Sequence, residues 1–168
     1  QMTLASSNCA YVRLGIRTGL DEVVDIANRM IGRDESNSFQ PFPSISLGAQ
    51  EVTPLEHAIG YSVLANGGVR MEPQYISRIE DRQGNVIYEH IPRGRRVLSE
   101  ETAAWVTTTL AANVQGGTGG RARLPSGQPA AGKTGTAQDF SDAWFVGFTP
   151  QLVTAVWMGH PEEKVSMT

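Results

Sequence analysis

The chain holds a single cysteine, Cys9, which excludes an intramolecular disulfide and a cysteine-built metal cluster. With no histidine beside it in sequence, Cys9 reads as a small buried hydrophobe rather than a reactive thiol. His57, His90 and His160 are scattered without metal-ligand spacing, so no metal and no cofactor is expected. A run of about 18 apolar residues is also lacking, and the residues after Gln1 have neither the basic start nor the apolar core of a secretion signal. The sequence as given is expected neither to span a membrane nor to carry its own export signal. A formal charge of −3 with no run of like charge argues against nucleic acid as the main partner. Arg93, Arg95 and Arg96, like Arg121 and Arg123, sit among Gly and Pro and read as solvated loop charges. Lysine is nearly absent: only Lys133 and Lys164 occur.

What is present suits a globular domain. With 168 residues and 40% hydrophobic content, the chain is long and apolar enough to bury a core. Over residues 20–31, apolar side chains fall at 20, 23, 24, 26, 27, 30 and 31, close to helical spacing, and Gly19 and Gly32 bracket the segment. A helix over 53–66 has the clearest ends: Thr53 as N-cap, Pro54 at the first helical position, Glu56 completing a capping box, and Gly67-Gly68 as the stop. Its apolar face is read as Leu55, Ala58, Ile59, Ser62 and Val63. Residues 74–90 read as a hairpin, with strands over 75–79 and 86–88 around Gln83-Gly84-Asn85. Ser99 caps a further helix to about Val114. Residues 115–132 then contain six glycines and two prolines, which predicts a mobile connection without regular structure. Apolar segments over 130–138, 143–148 and 152–158 read as adjacent antiparallel strands. The fold class is α+β, an antiparallel sheet flanked by helices, with residues 1–168 as one domain or a piece of one.

One segment carries chemistry. Lys133-Thr134-Gly135-Thr136 places an ammonium, two hydroxyls and a glycine on a strand edge, a set suited to a carboxylate lying beside a closely approachable backbone. The Thr136 N–H is a candidate oxyanion donor. Taken alone, the four residues are more simply an ordinary strand. Lys-Thr-Gly is, however, the third motif of the serine penicillin-binding enzymes, whose others are Ser-x-x-Lys and a Ser-x-Asn type triplet. Ser6-Ser7-Asn8 supplies the triplet, although by itself it reads as an N-cap serine and a turn asparagine. No Ser-x-x-Lys exists, because Ala130 and Pro161 stand three residues before the two lysines.

The order and spacing of several weaker signals closely resemble the transpeptidase domain of bifunctional, class A penicillin-binding proteins. They are Ser46-Leu47-Gly48, Thr53-Pro54-Leu55-Glu56, Ala65-Asn66-Gly67-Gly68, Gly116-Gly117-Thr118-Gly119, Gly132 to Thr136, and Asp142-Ala143-Trp144-Phe145-Val146-Gly147. The resemblance covers nearly the whole chain. It implies a serine β-lactamase/penicillin-binding fold and a D,D-transpeptidase that forms an acyl-enzyme from a D-Ala-D-Ala stem peptide and binds β-lactams. Ser6 would then relay a proton toward the leaving group, Asn8 would hold the substrate amide, and Lys133, Thr134 and Thr136 would bind the terminal carboxylate beside Gly135. The family's Ser-x-x-Lys helix precedes the triplet and a terminal helix follows the last strand, so the chain is expected to be an incomplete domain, inactive alone, whose partner is the polypeptide bearing the nucleophile. The resemblance also implies a place at the outer face of the bacterial cytoplasmic membrane, through an N-terminal anchor this sequence lacks. A non-catalytic penicillin-binding or sensing module is the alternative. A serine β-lactamase fits less well, because no local motif marks a carboxylate to activate water.

Overall fold

The computed structural model describes residues 1–167. Helices α1 (Asn8–Thr18) and α2 (Leu20–Ile31) lead through short 3-10 turns to α3 (Pro54–Ala65). Two small antiparallel ribbons follow, β1 (Val69–Met71) with β4 (Gly94–Arg96) and, between them in sequence, β2 (Arg78–Glu80) with β3 (Val86–Glu89). Helix α4 (Glu100–Gly116) then precedes a three-stranded antiparallel sheet of β5 (Ala131–Thr136), β6 (Asp142–Phe148) and β7 (Val153–Gly159) in that spatial order. The class is α+β.

The helix ends follow from their caps. At α3 the Glu56 N–H donates to Thr53 Oγ1 at 3.2 Å while the Thr53 N–H donates to Glu56 Oε2 at 2.8 Å, satisfying two otherwise orphaned donors. Gly32 ends α2 at φ 87°, a conformation that glycine adopts without strain. Ser99 starts α4 by accepting from the Thr102 N–H at 3.1 Å.

Register sets the two faces of the sheet. Ala131, Lys133 and Gly135 share one face with Trp144, Val146 and Phe148 of β6 and with Val153, Ala155 and Trp157 of β7. Helices α3 and α4 cover that face. His57 of α3 stacks on Trp144 at 4.7 Å and Tyr61 meets Phe148 edge-on at 6.3 Å. Burial in this stack lowers the His57 pKa below its ordinary 6.5, because desolvation disfavours the charged ring. Leu64, Leu110, Ala131 and Phe148 form the core centre, with Met30, Tyr61, Ala65, Leu98, Ala111 and Val153 around them. The opposite face, with Phe145, Val156 and Met158, is open; Val156 and Met158 are 47% and 62% exposed. A groove of about 550 Å³ between Leu124, Phe145 and Leu152 lies on that side.

Several expectations need correction. Helix α1 was not foreseen, and neither were the three-residue strands β1 and β4. In the hairpin, residues 75–77 are not strand; pairing begins at Arg78, and an irregularity between Ile79 and Glu80 shifts the register. Helix α4 continues through Gly116, a 3-10 turn spans Gly120–Ala122, and β5 takes up Ala131 and Gly132, so residues 115–132 do hold regular structure. Cys9 is exposed: it lies in the first turn of α1, a helix in which Gly15 alone is buried. The buried face of α3 runs through Gly60, Val63 and Leu64, whereas Leu55 is 48% exposed. That helix is apolar on nearly every side, so its inward face is decided by the sheet rather than by its own pattern.

Candidate active site

Strand β5 is an edge strand, and its ladder shows which backbone groups are free. The Ala137 N–H donates to Asp142 O at 2.9 Å, continuing the β6 pairing just past Thr136. Because bonded pairs alternate in an antiparallel ladder, residues 131, 133 and 135 face β6, and residues 132, 134 and 136 turn their N–H and C=O groups to the open edge. The Thr136 N–H therefore points away from β6, to that open edge.

Lys133 and Ser6 meet across 127 residues of sequence: the Nζ ammonium donates to Ser6 Oγ at 2.8 Å and to Thr134 O at 2.9 Å. Both acceptors are uncharged, and among the described residues no carboxylate pairs with Lys133. Burial lowers its pKa below the ordinary 10.5, since a partly desolvated ammonium is costly. A held but unneutralised cation is what an incoming anion requires. Because Ser6 Oγ accepts from Lys133, its own proton is free to be given elsewhere.

Ser6 has φ 49°, an uncommon conformation for a residue with a side chain. The loop before it holds this geometry with backbone bonds, Ser6 N to Thr3 O at 3.2 Å and Ser7 N to Met2 O at 3.1 Å. Ser7, rather than Ser6, occupies the N-cap of α1 and makes no side-chain cap bond. Asn8 follows as the first helical residue, exposed and without a side-chain hydrogen bond among the described residues. Its amide is available to a ligand.

Gly135 serves a neighbour first: a Cβ there would lie 3.2 Å from the Trp144 Cβ, on the helix-covered face. Its lack of a side chain thus makes room for Trp144, in addition to any closeness it permits to a ligand beside the strand. At Gly132 a Cβ would come within 2.8 Å of Phe145 and of the Val146 carbonyl, which no side chain tolerates.

Two residues at the site have no role assigned from the sequence, although Thr118 lies in the Gly116-Gly117-Thr118-Gly119 segment that carries the resemblance. Asn113, fully buried in the last turn of α4, donates from Nδ2 to Gly132 O at 2.9 Å. Thr118 takes a hydrogen bond from the Thr134 hydroxyl at 2.9 Å and donates to Asn113 Oδ1 at 3.3 Å. Asn113 looks like any polar residue at a helix end; only β5, nineteen residues on, gives it a role. Among the described residues, no group of three or more His, Cys, Asp or Glu side chains is placed to hold a metal, and no helix is long and apolar enough to cross a membrane.

Comparison with known proteins agrees with this geometry. Residues 3–166 match the family described as the penicillin binding protein transpeptidase domain. Penicillin-binding protein 1A of Aquifex aeolicus is 39% identical over 159 residues, covering 95% of this chain and 21% of that protein. Among solved structures, the D,D-transpeptidase domain of a peptidoglycan glycosyltransferase from Eggerthella lenta superposes with a TM-score of 0.83 at 28% identity, over 99% of this chain and 49% of that one. Penicillin-binding protein 1A of Haemophilus influenzae shares the fold, with a TM-score of 0.86 at 24% identity over 96% of this chain and 29% of that one. The chain spans about a fifth of the length of the curated relatives it matches.

Proposed function

Because this chain belongs to the penicillin-binding protein transpeptidase domain family, we propose that it is part of a bacterial peptidoglycan D,D-transpeptidase, contributing the Ser-x-Asn and Lys-Thr-Gly-Thr motifs to a site whose nucleophile comes from other polypeptide. The 2.8 Å contact between Lys133 Nζ and Ser6 Oγ carries this reading, since it joins the two motifs at one point beside an open strand edge. In the proposed reaction a serine hydroxyl attacks the D-Ala-D-Ala carbonyl. Its proton leaves with terminal D-alanine as the C–N bond breaks, and the amine of a neighbouring stem peptide then displaces the serine. Lys133 and the Thr134 and Thr136 hydroxyls bind the terminal carboxylate, Asn8 holds the substrate amide, and the Thr136 N–H faces the developing oxyanion. Ser6, with its own proton unspent, passes a proton to the departing amine. β-Lactams enter by the same contacts as imitations of that peptide.

The lack of Ser-x-x-Lys among these 168 residues supports a nucleophile supplied from outside them. So does the open sheet face around Phe145, Val156 and Met158, an apolar surface of the kind a further layer covers. The complete protein would act at the cell envelope, on the outer face of the cytoplasmic membrane and anchored by a segment beyond this sequence.

The test is covalent labelling. The isolated chain incubated with a fluorescent penicillin should gain no mass, and the full-length protein should gain one adduct on the serine of a Ser-x-x-Lys segment. A stoichiometric adduct on Ser6 or any other serine of this chain would overturn the assignment. Reversible binding by the full-length protein without an adduct would favour a sensing module.

A further inference from the structure

The Thr134 hydroxyl is already committed within the chain. Asn113 is fully buried, and its Nδ2 is used on Gly132 O. Its Oδ1 can only accept, and it takes the Thr118 hydroxyl at 3.3 Å. Thr118 has one hydroxyl proton, now spent, so the 2.9 Å contact between the two threonines must be donated by Thr134. The proton of Thr134 thus points inward along a chain from Thr134 to Thr118 to Asn113. A carboxylate is acceptor-only, so it cannot be bound by Thr134 until that chain reverses.

The turn that presents Thr118 is closely fitted. A Cβ on Gly117 would come within 2.3 Å of Asn113 Oδ1 and 3.0 Å of Leu4 Cα, and one on Gly119 within 2.9 Å of Asn113 Nδ2. The Thr118 N–H donates to Leu4 O at 3.2 Å, two residues before Ser6. One residue therefore touches both the Thr134 hydroxyl and the loop that carries Ser6.

We infer that Thr118 is a positioning residue for the substrate carboxylate, its hydroxyl swinging from Asn113 Oδ1 to Thr134 Oγ1 on binding so that the Thr134 proton is committed to the carboxylate. This rests on the reading of Thr134 as a carboxylate ligand. Thr118 acts only through Thr134, and its effect must vanish when Thr134 has no hydroxyl.

A double-mutant cycle on the full-length protein tests this, reading the second-order rate of acylation by a penicillin together with thermal melting. Thr118→Val should slow acylation about tenfold, the worth of one lost hydrogen bond. Thr118→Ser should restore the rate to within about twofold, because it keeps the hydroxyl. The pair T118V/T134V should be no slower than T134V alone. Additive losses, or a T118S variant as slow as T118V with unchanged melting, would overturn the inference. If T118V fails to fold, T118A carries the same cycle. A T134V variant that acylates normally would remove the carboxylate reading itself; a slow T134V beside a normal T118V would remove only the role given to Thr118.

Discussion

Two cations in this molecule are held in opposite ways. Arg33, between α2 and α3, donates from Nε to Glu56 Oε1 at 2.7 Å, from Nη2 to Glu56 Oε2 at 3.1 Å and to Glu51 O at 2.8 Å, and covers the Phe39 ring at 4.3 Å. The fork meets a carboxylate on two teeth, and that hydrogen bonding pulls the Glu56 pKa down to about 2. Lys133 is also partly withdrawn from water, yet it touches only neutral oxygens. A charge answered within the chain is spent on the fold, as at Arg33; a charge left unanswered beside an open strand edge is able to meet an anion from outside, as proposed for Lys133. Structure alone separates the two, because each is a single basic residue in a polar stretch of sequence.

The comparison breaks most sharply at Lys133. Lys133→Ala in the full-length protein should cost on the order of 2 to 4 kcal/mol of transition-state stabilisation, read as the rate of penicillin acylation, with melting little changed. Lys164→Ala, in the exposed tail, should leave the rate unaffected; equal losses would make Lys133 structural. At the other cation the signs reverse. Glu56→Ala should destabilise the fold by roughly 2 kcal/mol, because it strands a guanidinium and removes half of the α3 capping box, while the protein that remains folded acylates normally.

A smaller effect follows from pH. The Glu56 carboxyl titrates near 4.5 when unperturbed and at about 2 in the folded chain. The unfolded chain therefore takes up the proton first as pH falls. The stabilisation is complete above about pH 4.5 and is lost as pH drops toward 2, amounting to roughly 1 to 2 kcal/mol after solvent screening. Denaturant melts across that range should show the loss in the wild type and not in Glu56→Ala. The smallest change is Thr53→Ala, about 1 kcal/mol for one capped N–H, visible as a shift of the denaturation midpoint at constant slope.

The parts of the fold that were legible are those with local causes. Thr53, Pro54 and Glu56 write the start of α3 within four residues, Gly19 and Gly32 bracket α2, and Ser99 marks α4, so these ends fall where capping chemistry predicts. Strands β6 and β7 are apolar runs between turn residues, and the segments read for all three strands of the sheet agree with them to within two residues. Helix α1 was missed because its first turn carries Asn8 and Cys9 with no side-chain cap, and its apolar residues include the exposed Leu14 and Ile16. Strands β1 and β4 are three residues each, too short for a period-2 pattern to show. In the site, Lys133 and Ser6 were legible only through the motifs they belong to, since no local rule links residues 127 apart. Asn113 belongs to no such motif, and Thr118 lies in the Gly116-Gly117-Thr118-Gly119 segment without a role of its own there; the chemistry of both exists only once α4 and the following turn are folded against β5.

The open edge of β5 has a further consequence. Gly132 O and Thr134 O accept from Asn113 Nδ2 and Lys133 Nζ, but an edge with N–H groups turned outward can receive a strand from another molecule, which is how sheet proteins begin to aggregate. This strand is only six residues long, two of them glycine, and has a lysine third. Glycines and a positive charge are among the features that make an edge a poor template. Lys133 thus makes the edge a poorer template for a second copy of the chain, and a neutral residue there would remove that protection.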